Sequence, residues 1–225
     1  MGSRRSVERA RTHYQDVSVV ESYDSWRYDA PRGRRRNARD LEAIGRALDE
    51  AARRGHPVRT ALDLPCGTGR LVPFFRERGI RGLGADISLA MMSHARRKHG
   101  HSLPMVRCDA SAIPLPDGSV DAVLAIRFFF HLDHATRQEV LREMRRVSRR
   151  WLVLDLRHRY NLRWGSWHVR RWLGLLREIP FRFSREGLQE ELRQAGLTLL
   201  SAAPSRRYFG WLSDKWIVLA EKRED

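Results

Sequence analysis

Cysteine and long apolar runs are both scarce in this chain of 225 residues. The two cysteines, Cys66 and Cys108, each fall in an apolar strand-and-turn context, which is typical of free thiols rather than of a disulfide framework. No stretch approaches the roughly 20 apolar residues that a transmembrane helix needs, and the N-terminal region lacks the apolar core of a secretory signal. These absences predict a cytoplasmic protein that does not span a membrane.

Lysine is almost absent, although the chain is strongly basic. Three of the 43 lysine and arginine residues are lysines, and the net charge is +16. A charge of this size favours anionic partners, such as nucleic acid or an anionic membrane surface. An excess of arginine also follows from a G+C-rich coding sequence, so the charge permits an anionic partner without establishing one.

Internal repeats and low-complexity linkers are also missing. A chain of this length accommodates one α/β domain with an extension, at roughly 100–200 residues per domain, and its hydrophobic content of 42% is ordinary for a globular protein. Residues 1–36 are polar and rich in arginine, with interleaved aromatic residues, and Ala30-Pro31-Arg32-Gly33 near their end predicts a turn. We predict that they form an N-terminal helical extension and that residues 37–225 form the main domain.

From residue 37 onward the apolar pattern alternates between strand and helix periods. Helices are predicted at Asn37–Arg54, Leu71–Gly79, Ser88–His99, Asp133–Val147 and Ser184–Ala195, with Ser88 and Ser184 as N-caps. Strands are predicted at Arg59–Leu64, Ile80–Ala85, Met105–Cys108, Val120–Ile126, Trp151–Leu156, Leu197–Ser201 and Lys215–Ala220. This alternation predicts an α/β fold with a doubly wound, mostly parallel seven-stranded sheet and helices on both faces.

The turn after the first predicted strand, Pro65-Cys66-Gly67-Thr68-Gly69, is the most informative motif. Glycines at the end of a strand let the backbone approach a ligand closely, and ligands of open α/β sheets bind beyond the carboxyl ends of the strands. Val72 replaces the third glycine of a dinucleotide fingerprint, and Arg70-Leu71 stands where a P-loop has lysine and Ser/Thr. The turn therefore indicates a different ligand.

Asp63-x-x-Cys66-Gly67-Thr68-Gly69 resembles the first motif of the class I S-adenosylmethionine-dependent methyltransferases, near their small-molecule and ubiquinone-type branch. The resemblance covers roughly residues 37–156 and implies a Rossmann-like fold, S-adenosyl-L-methionine as cofactor and no metal. It also implies that Asp86, which ends the second strand, holds the ribose hydroxyls and that Asp109 lies beside the adenine. The cofactor-binding residues implied by the resemblance are Asp63, Pro65, Cys66, Gly67, Gly69, Asp86, Ile87, Asp109 and Ala110.

The chemistry of the residues agrees with such a cofactor. Carboxylates at strand ends accept hydrogen bonds from ammonium, hydroxyl and amino groups, although each aspartate taken singly can instead cap a helix or turn. Cys66 is better interpreted as a packing residue than as a nucleophile. Pro65 departs from the family, which usually has glycine there, and proline removes an amide donor.

The run Arg127-Phe128-Phe129-Phe130-His131 follows the fourth strand, and the loop in this place faces the acceptor in the resembled family. Methyl transfer demands mainly that the acceptor be aligned, and it needs a base only if the acceptor must lose a proton. We take His131 as the candidate base and Arg127 as the candidate grip on an anionic acceptor. The alternatives are a histidine that orients the next helix and an arginine paired with a surface acid. Core packing is expected to claim at least one of Phe128, Phe129 and Phe130, and the others could line an apolar acceptor pocket. Among them we take Phe129 as the candidate acceptor contact.

Residues 157–183 interrupt the alternation with a segment dense in tryptophan and arginine. We predict a lid, because insertions after the fifth strand commonly shape the acceptor pocket in the resembled family. The alternative is a basic amphipathic helix that lies on lipid headgroups. Candidate substrate contacts that would exclude water are Tyr23, Trp26 and Tyr28 in the extension and Trp164 in the insertion.

The predicted function is methyl transfer to a small-molecule, sugar or lipid-like acceptor, with an anionic acceptor and peripheral contact with an anionic membrane left open. RNA is the second acceptor class, because Trp and Tyr beside Arg can hold single strands. However, the loop after the fourth strand lacks the Asn/Asp-Pro-Pro-Tyr/Phe pattern of enzymes that methylate amino groups in nucleic acids. A third alternative is a non-catalytic scaffold that binds the cofactor.

Deletion of residues 160–178 is expected to abolish methyl transfer while sparing cofactor binding, because a lid covers the acceptor rather than the cofactor. Turnover can be followed with labelled S-adenosylmethionine and binding by isothermal titration calorimetry. Retained turnover in the deletion variant would count against the lid.

Overall fold

The computed structural model describes residues 20, 30–157, 172–174, 182–205, 213 and 215–223. The predictions for Tyr23, Trp26, Tyr28 and Trp164 lie outside these residues, as does most of the predicted lid.

Seven strands of the described chain form one sheet. They are β1 (Thr60–Asp63), β2 (Arg81–Asp86), β3 (Met105–Arg107), β4 (Val120–Ala125), β5 (Ser148–Arg157), β6 (Leu197–Pro204) and β7 (Lys215–Lys222). The order across the sheet is β3-β2-β1-β4-β5-β7-β6. Strands β1 to β5 are parallel, and β7 runs antiparallel to both of its neighbours. The predicted Rossmann-like, mostly parallel sheet is confirmed.

Helices pack on both faces of the sheet. Those described in full are α1 (Pro31–Arg53), α2 (Val72–Glu77), α3 (Leu89–His99), α4 (His134–Val147) and α5 (Arg185–Gln194). On one face, Met144 of α4 and Leu192 of α5 share a buried core with Leu152 of β5. On the other, Ile44 of α1 packs in a second core with Trp151. The central strands are therefore covered on both sides, which explains their unbroken apolar sequence.

Side-chain caps fix where three of the helices begin. The hydroxyl of Ser88 accepts a hydrogen bond from the Met91 amide, and that of Ser184 accepts one from the Gly187 amide. The Asp133 carboxylate caps α4 in the same way. A cap of this kind satisfies an amide that has no partner within the helix. The predicted caps at Ser88 and Ser184 are confirmed.

Helix α1 begins earlier than the sequence pattern predicted. Its first residue is Pro31 rather than Asn37, so the predicted turn over residues 30–33 and the boundary after residue 36 fall at or within a continuous helix. Proline suits the first helical position, because its missing amide would have no helical acceptor and its φ is already helical. Although α1 has 23 residues, no helix among those described is long and apolar enough to cross a membrane.

A buried ion pair joins α4 to α5. Nε of Arg137 lies 2.6 Å from Oε1 of Glu191, and the two side chains are 4% and 7% exposed. The Arg137 guanidinium also donates to the carbonyl of Leu132 and lies over the ring of Phe183. Because α4 follows the loop after β4, this pair fixes the helix that closes one side of the site.

Replacing Glu191 with alanine is expected to lower the free energy of unfolding by about 3–5 kcal/mol, because the Arg137 charge stays buried without its carboxylate. Glu190 is the matched control. It pairs with Arg193 on the same helix with both side chains about half exposed, so Glu190→Ala should change stability little. Urea denaturation measures both variants, and equal losses would refute the buried-charge explanation.

Candidate active site

A cleft that is open to solvent lies where β1 to β4 end. Crossover connections bring the loops after parallel strands to one edge of the sheet, which is where such folds bind ligands. Of the predicted site residues, the cleft is lined by Pro65, Cys66, Gly67, Asp86, Ile87, Asp109, Ala110, Arg127 and His131. Three others, Asp63, Gly69 and Phe129, do not line it.

Asp86 ties together the first two loops of the cleft. Its Oδ2 accepts a hydrogen bond from the Gly67 amide at 2.8 Å, and its Oδ1 accepts one from the Ser88 amide at 2.9 Å. Burial raises the pKa of this carboxyl, and the hydrogen bonds from the backbone amides of Ser88, Gly67 and Ile87 oppose that rise. A carboxylate accepts roughly four hydrogen bonds, so Asp86 retains capacity for hydroxyl groups of a ligand.

The glycines of the turn serve different purposes. Gly67 and Gly69 both have left-handed backbones, with φ of 54° and 75°, a conformation that glycine adopts without strain. Gly67 lines the cleft and donates to Asp86. A Cβ at Gly69 would lie 2.7 Å from Cδ2 of His99. Gly69 therefore lets the turn pack closely on the end of α3, and the structure does not bring it to the cleft surface.

Pro65 stands in the cleft wall, in a cis peptide bond with Leu64. The amides on either side of it bond into the sheet: Leu64 donates to Leu124 at 2.9 Å, and Cys66 donates to Ala85 at 2.8 Å. The turn is thereby anchored to β4 and to β2. The missing amide of Pro65 falls between these two anchors.

Asp109 follows β3 and lines the cleft beside Ala110. Its Oδ1 accepts hydrogen bonds from the amide and the hydroxyl of Ser111, at 3.0 and 2.9 Å. A carboxylate that bonds the backbone two residues on forms an Asx turn, so the side chain is held in place by its own loop. The alternative of a turn cap is thus realised here, at a residue that also faces the cleft.

Asp63 ends β1 behind the cleft rather than on its surface. The residue is 3% exposed, and burial raises its pKa to about 8, an effect that the Arg70 guanidinium opposes and Asp86 reinforces. The side chain is therefore mostly protonated at pH 7.

Both thiols line the cleft, and neither is activated. Burial raises the pKa of Cys66 and raises that of Cys108 to about 11. A thiol is a nucleophile only as thiolate, so the interpretation of Cys66 as a packing residue holds. The described part of the chain contains no group of His, Cys, Asp and Glu that could hold a metal ion.

Arg127 and His131 face the cleft beyond the end of β4. His131 closes a short 3-10 helix, Phe129–His131, and its ring packs on that of Phe130 with 4.3 Å between centroids. Arg127 precedes this turn with a left-handed backbone, φ 64°, and a side chain that is 12% exposed. The loop thus brings His131 and Arg127 to the same wall of the cleft.

Phe128 takes the place that the sequence analysis gave to Phe129. Phe129 is 1% exposed and belongs to the core under α4, so its prediction as an acceptor contact is corrected to core packing. Phe128 lines the cleft and meets Phe129 edge to face. Successive side chains in a 3-10 turn diverge by about 120°, so neighbours in an aromatic run cannot all face one side.

Several lining residues were missed by the sequence analysis. They are Leu64, Thr68, Arg70, Ser88, Met91, Cys108, Ile126, Leu132, Thr136 and Val140. Thr136 and Val140 lie one turn apart at the start of α4, and their spacing after the acceptor loop could have indicated them. Arg70 donates to Asn37 of α1 at 2.8 Å, a contact between distant segments that no local pattern indicates.

The raised pKa of Asp63 makes stability depend on pH. From about pH 4 to pH 8 the unfolded chain carries this carboxyl ionised while the folded protein keeps it protonated, so its contribution to stability falls as pH rises and levels off above pH 8. Asp63→Asn removes this contribution, so the variant should gain stability relative to the wild type between pH 5 and pH 8. Thermal melting at both pH values measures the gain. Asp117→Asn, at an exposed aspartate, is the control and should show the pH dependence of the wild type. The same pH dependence of stability in Asp63→Asn and in the wild type would refute the raised pKa of Asp63.

The chain is similar in sequence to known methyltransferases. Residues 61–150 match the family model described as a methyltransferase domain. The demethylmenaquinone methyltransferase of Thermus thermophilus is 38% identical over 47% of this chain and 46% of its own length. The ubiquinone/menaquinone biosynthesis C-methyltransferase UbiE of Hahella chejuensis is 32% identical over 66% of this chain and 67% of its own length. The chain spans about half the length of the first curated relatives it matches.

Solved structures agree on the fold. The magnesium protoporphyrin IX methyltransferase of Synechocystis, crystallised with S-adenosylmethionine, superposes with a TM-score of 0.68 over 97% of each chain at 13% identity. The match to UbiE extends over two thirds of that relative, well beyond the glycine turn. The chain therefore belongs to the class I S-adenosylmethionine-dependent methyltransferase family.

Proposed function

We propose that this chain binds S-adenosylmethionine in the cleft and transfers its methyl group to a small-molecule or lipid-like acceptor. The observation that carries the proposal is the Asp86 carboxylate, held at the end of β2 by the amides of Gly67 and Ser88. A carboxylate fixed in this way suits the paired hydroxyls of a ribose, because hydrogen bonds to a charged acceptor are strong. The methyltransferase names of the relatives support the same activity.

The neighbouring residues fit the purine of this cofactor. Asp109 would accept a hydrogen bond from the adenine amino group, and its Asx turn holds it in place for that contact. Ile87 and Ala110 line the same part of the cleft and would pack on the flat faces of the ring. Asp63 is buried at the end of β1, and a nearby ammonium group would favour its ionised form.

The cofactor supplies, when bound, an electrophilic methyl group on a sulfonium whose departure leaves a neutral thioether. The residues of the chain therefore have to align the acceptor and exclude water. His131 would take the proton of an acceptor that must lose one. Arg127 would donate hydrogen bonds to an acceptor oxygen, and Phe128 and Leu132 would pack against its apolar part.

The acceptor side of the cleft favours a ring-like or otherwise apolar molecule. Phe128, Leu132 and Val140 provide apolar lining there, with the polar groups of Arg127 and His131 beside them. The relative from Thermus thermophilus is named for demethylmenaquinone, a name that supports a quinone-like acceptor. RNA stays the second acceptor class, and a small molecule is the first.

We also infer peripheral contact with an anionic membrane from the cytoplasmic side, as the way to reach a lipid-like acceptor. The net charge of +16 suits an anionic surface. In the described part of the predicted lid, Trp172 and Leu173 are 84% and 55% exposed. Tryptophan beside basic residues is typical of a membrane interface.

Cofactor binding can be tested by titration calorimetry with S-adenosylhomocysteine, which binds without turnover. Asp86→Ala is expected to weaken binding at least tenfold, because hydrogen bonds to a charged group contribute about 1.5–3 kcal/mol each. Asp117→Ala, at an aspartate whose side chain is 78% exposed, should bind like the wild type. Absence of binding to the wild type, or unchanged affinity in Asp86→Ala, would contradict the proposal.

The same protein incubated with labelled cofactor and cell extract identifies the acceptor class. Label in the lipid or small-molecule fraction is the expected result. Label in RNA would replace the acceptor class proposed here, and binding without any label would support the scaffold alternative.

A further inference from the structure

Arg127 is held in an unfavourable backbone conformation at the edge of the cleft. Among the residues that the structure describes, it is the only one besides glycines with a positive φ, at 64°. A side chain with a Cβ crowds the backbone in this region, so neighbouring groups must enforce it. Arg127 lies two residues beyond Ala125, the last residue of β4, and lines the acceptor side of the cleft.

Two buried aspartates hold Arg127 by its backbone and by its side chain. The Arg127 amide donates to Oδ1 of Asp155 at 2.5 Å, and the guanidinium Nη2 lies 3.6 Å from Oδ2 of Asp40. Lys215 joins the two carboxylates, with Nζ 2.9 Å from Oδ2 of Asp40 and 2.8 Å from Oδ2 of Asp155. We call Asp40, Asp155 and Lys215 the clamp.

The clamp is costly to bury, which argues that it does more than hold the fold. Asp40 and Asp155 are each 1% exposed, and the Lys215 side chain is 20% exposed. The free energy lost when such charges leave water is commonly as large as the free energy gained from their attraction. Apolar residues of similar size therefore often stabilise a fold as well as a buried ion pair does, or better. What apolar residues cannot supply is an acceptor for the Arg127 amide and a partner for its guanidinium.

The members of the clamp come from three elements that lie outside the cleft lining. Asp40 is in α1, Asp155 is in β5 and Lys215 begins β7, and none of the three lines the cleft. The cofactor side is fixed separately, by Asp86 and the amides of Gly67 and Ser88. A change in the clamp should therefore act on the acceptor side alone.

We propose that Asp40, Asp155 and Lys215 are positioning residues that hold Arg127 in its left-handed conformation, so that its guanidinium donates to an oxygen of the acceptor. The inference rests on the proposed methyl transfer for its last step. It predicts an acceptor that carries an oxygen atom close to the atom that is methylated. Arg127 is then the residue that selects for that oxygen.

The first test is amide hydrogen exchange of the purified protein, followed by NMR or by mass spectrometry of short peptides. In Lys215→Met, exchange over residues 126–132 is expected to speed up at least tenfold while residues 61–69 exchange as in the wild type. Lys222→Met is the matched control, because Lys222 lies at the other end of β7 and its ammonium contacts only a backbone carbonyl, that of Ser148 at 3.4 Å, among the contacts described for it. Equal exchange over residues 126–132 in both variants would overturn the clamp.

The second test separates positioning from general stability. In Lys215→Met and Asp155→Asn, transfer of labelled methyl to the extract fraction labelled by the wild type should fall at least tenfold, while affinity for S-adenosylhomocysteine stays within twofold. Lys215→Arg should keep part of the transfer that Lys215→Met loses, since arginine carries the same positive charge as lysine. A parallel loss of cofactor affinity, or unchanged transfer, would refute the positioning role.

These results remain distinguishable from failure of the proposed function. If the wild type does not bind S-adenosylhomocysteine, the function is refuted, and the exchange experiment still decides whether the clamp holds Arg127. If the wild type binds and transfers but Arg127→Gln transfers equally well, the function stands and the acceptor oxygen is refuted.

Discussion

The hydrogen bonds from the amides of Gly67 and Ser88 to Asp86 join the loops that follow β1 and β2. Both loops lie at the same edge of the sheet, because β1 and β2 are parallel and end there. Their distance and orientation, however, depend on this shared carboxylate. Asp86 thereby links the glycine turn, which the Leu64 and Cys66 amides already anchor to the sheet, to the start of the loop after β2.

Different interactions stabilise the cofactor side and the acceptor side of the cleft. On the cofactor side, backbone amides and short polar side chains do most of the work, as the Asx turn of Asp109 illustrates. On the acceptor side, buried ionic groups hold Arg127 against the backbone preference of a residue with a Cβ. A local hydrogen bond such as that of the Asx turn forms in any loop that adopts the same turn. The ionic contacts of Arg127 join residues that are far apart in the chain and that do not line the cofactor side. Substitutions among them can therefore change the acceptor side without changing the cofactor side.

Local patterns predicted the fold well because local physics decides most of it. The apolar runs of β4 and β5 indicate strands covered on both faces, and the caps at Ser88 and Ser184 mark helix starts within a residue. The prediction failed at Pro31, where proline was taken for part of a turn and is instead the first residue of α1. It also failed at Phe129, because the direction of each ring in an aromatic run depends on a 3-10 turn that apolar spacing does not reveal.

The residues that no pattern could indicate are those whose partners lie far along the chain. Asp40 and Lys215 are 175 residues apart and form a hydrogen bond of 2.9 Å. In sequence, Asp40 is one more charge on an arginine-rich helix, and Lys215 is one of three lysines. Their pairing depends on the strand order, in which β7 enters between β5 and β6. A topology of that kind has to be known before the contact can be seen.

The reversed direction of β7 also decides at which end of the sheet this strand finishes. Lys215 pairs with Arg157 at the end of β5, beside the cleft, whereas the strand finishes at Lys222, at the opposite edge of the sheet. A fusion partner or surface anchor attached beyond Lys222 would therefore be joined at that end of the sheet. Such an anchor would lie at the end of the sheet opposite the cleft.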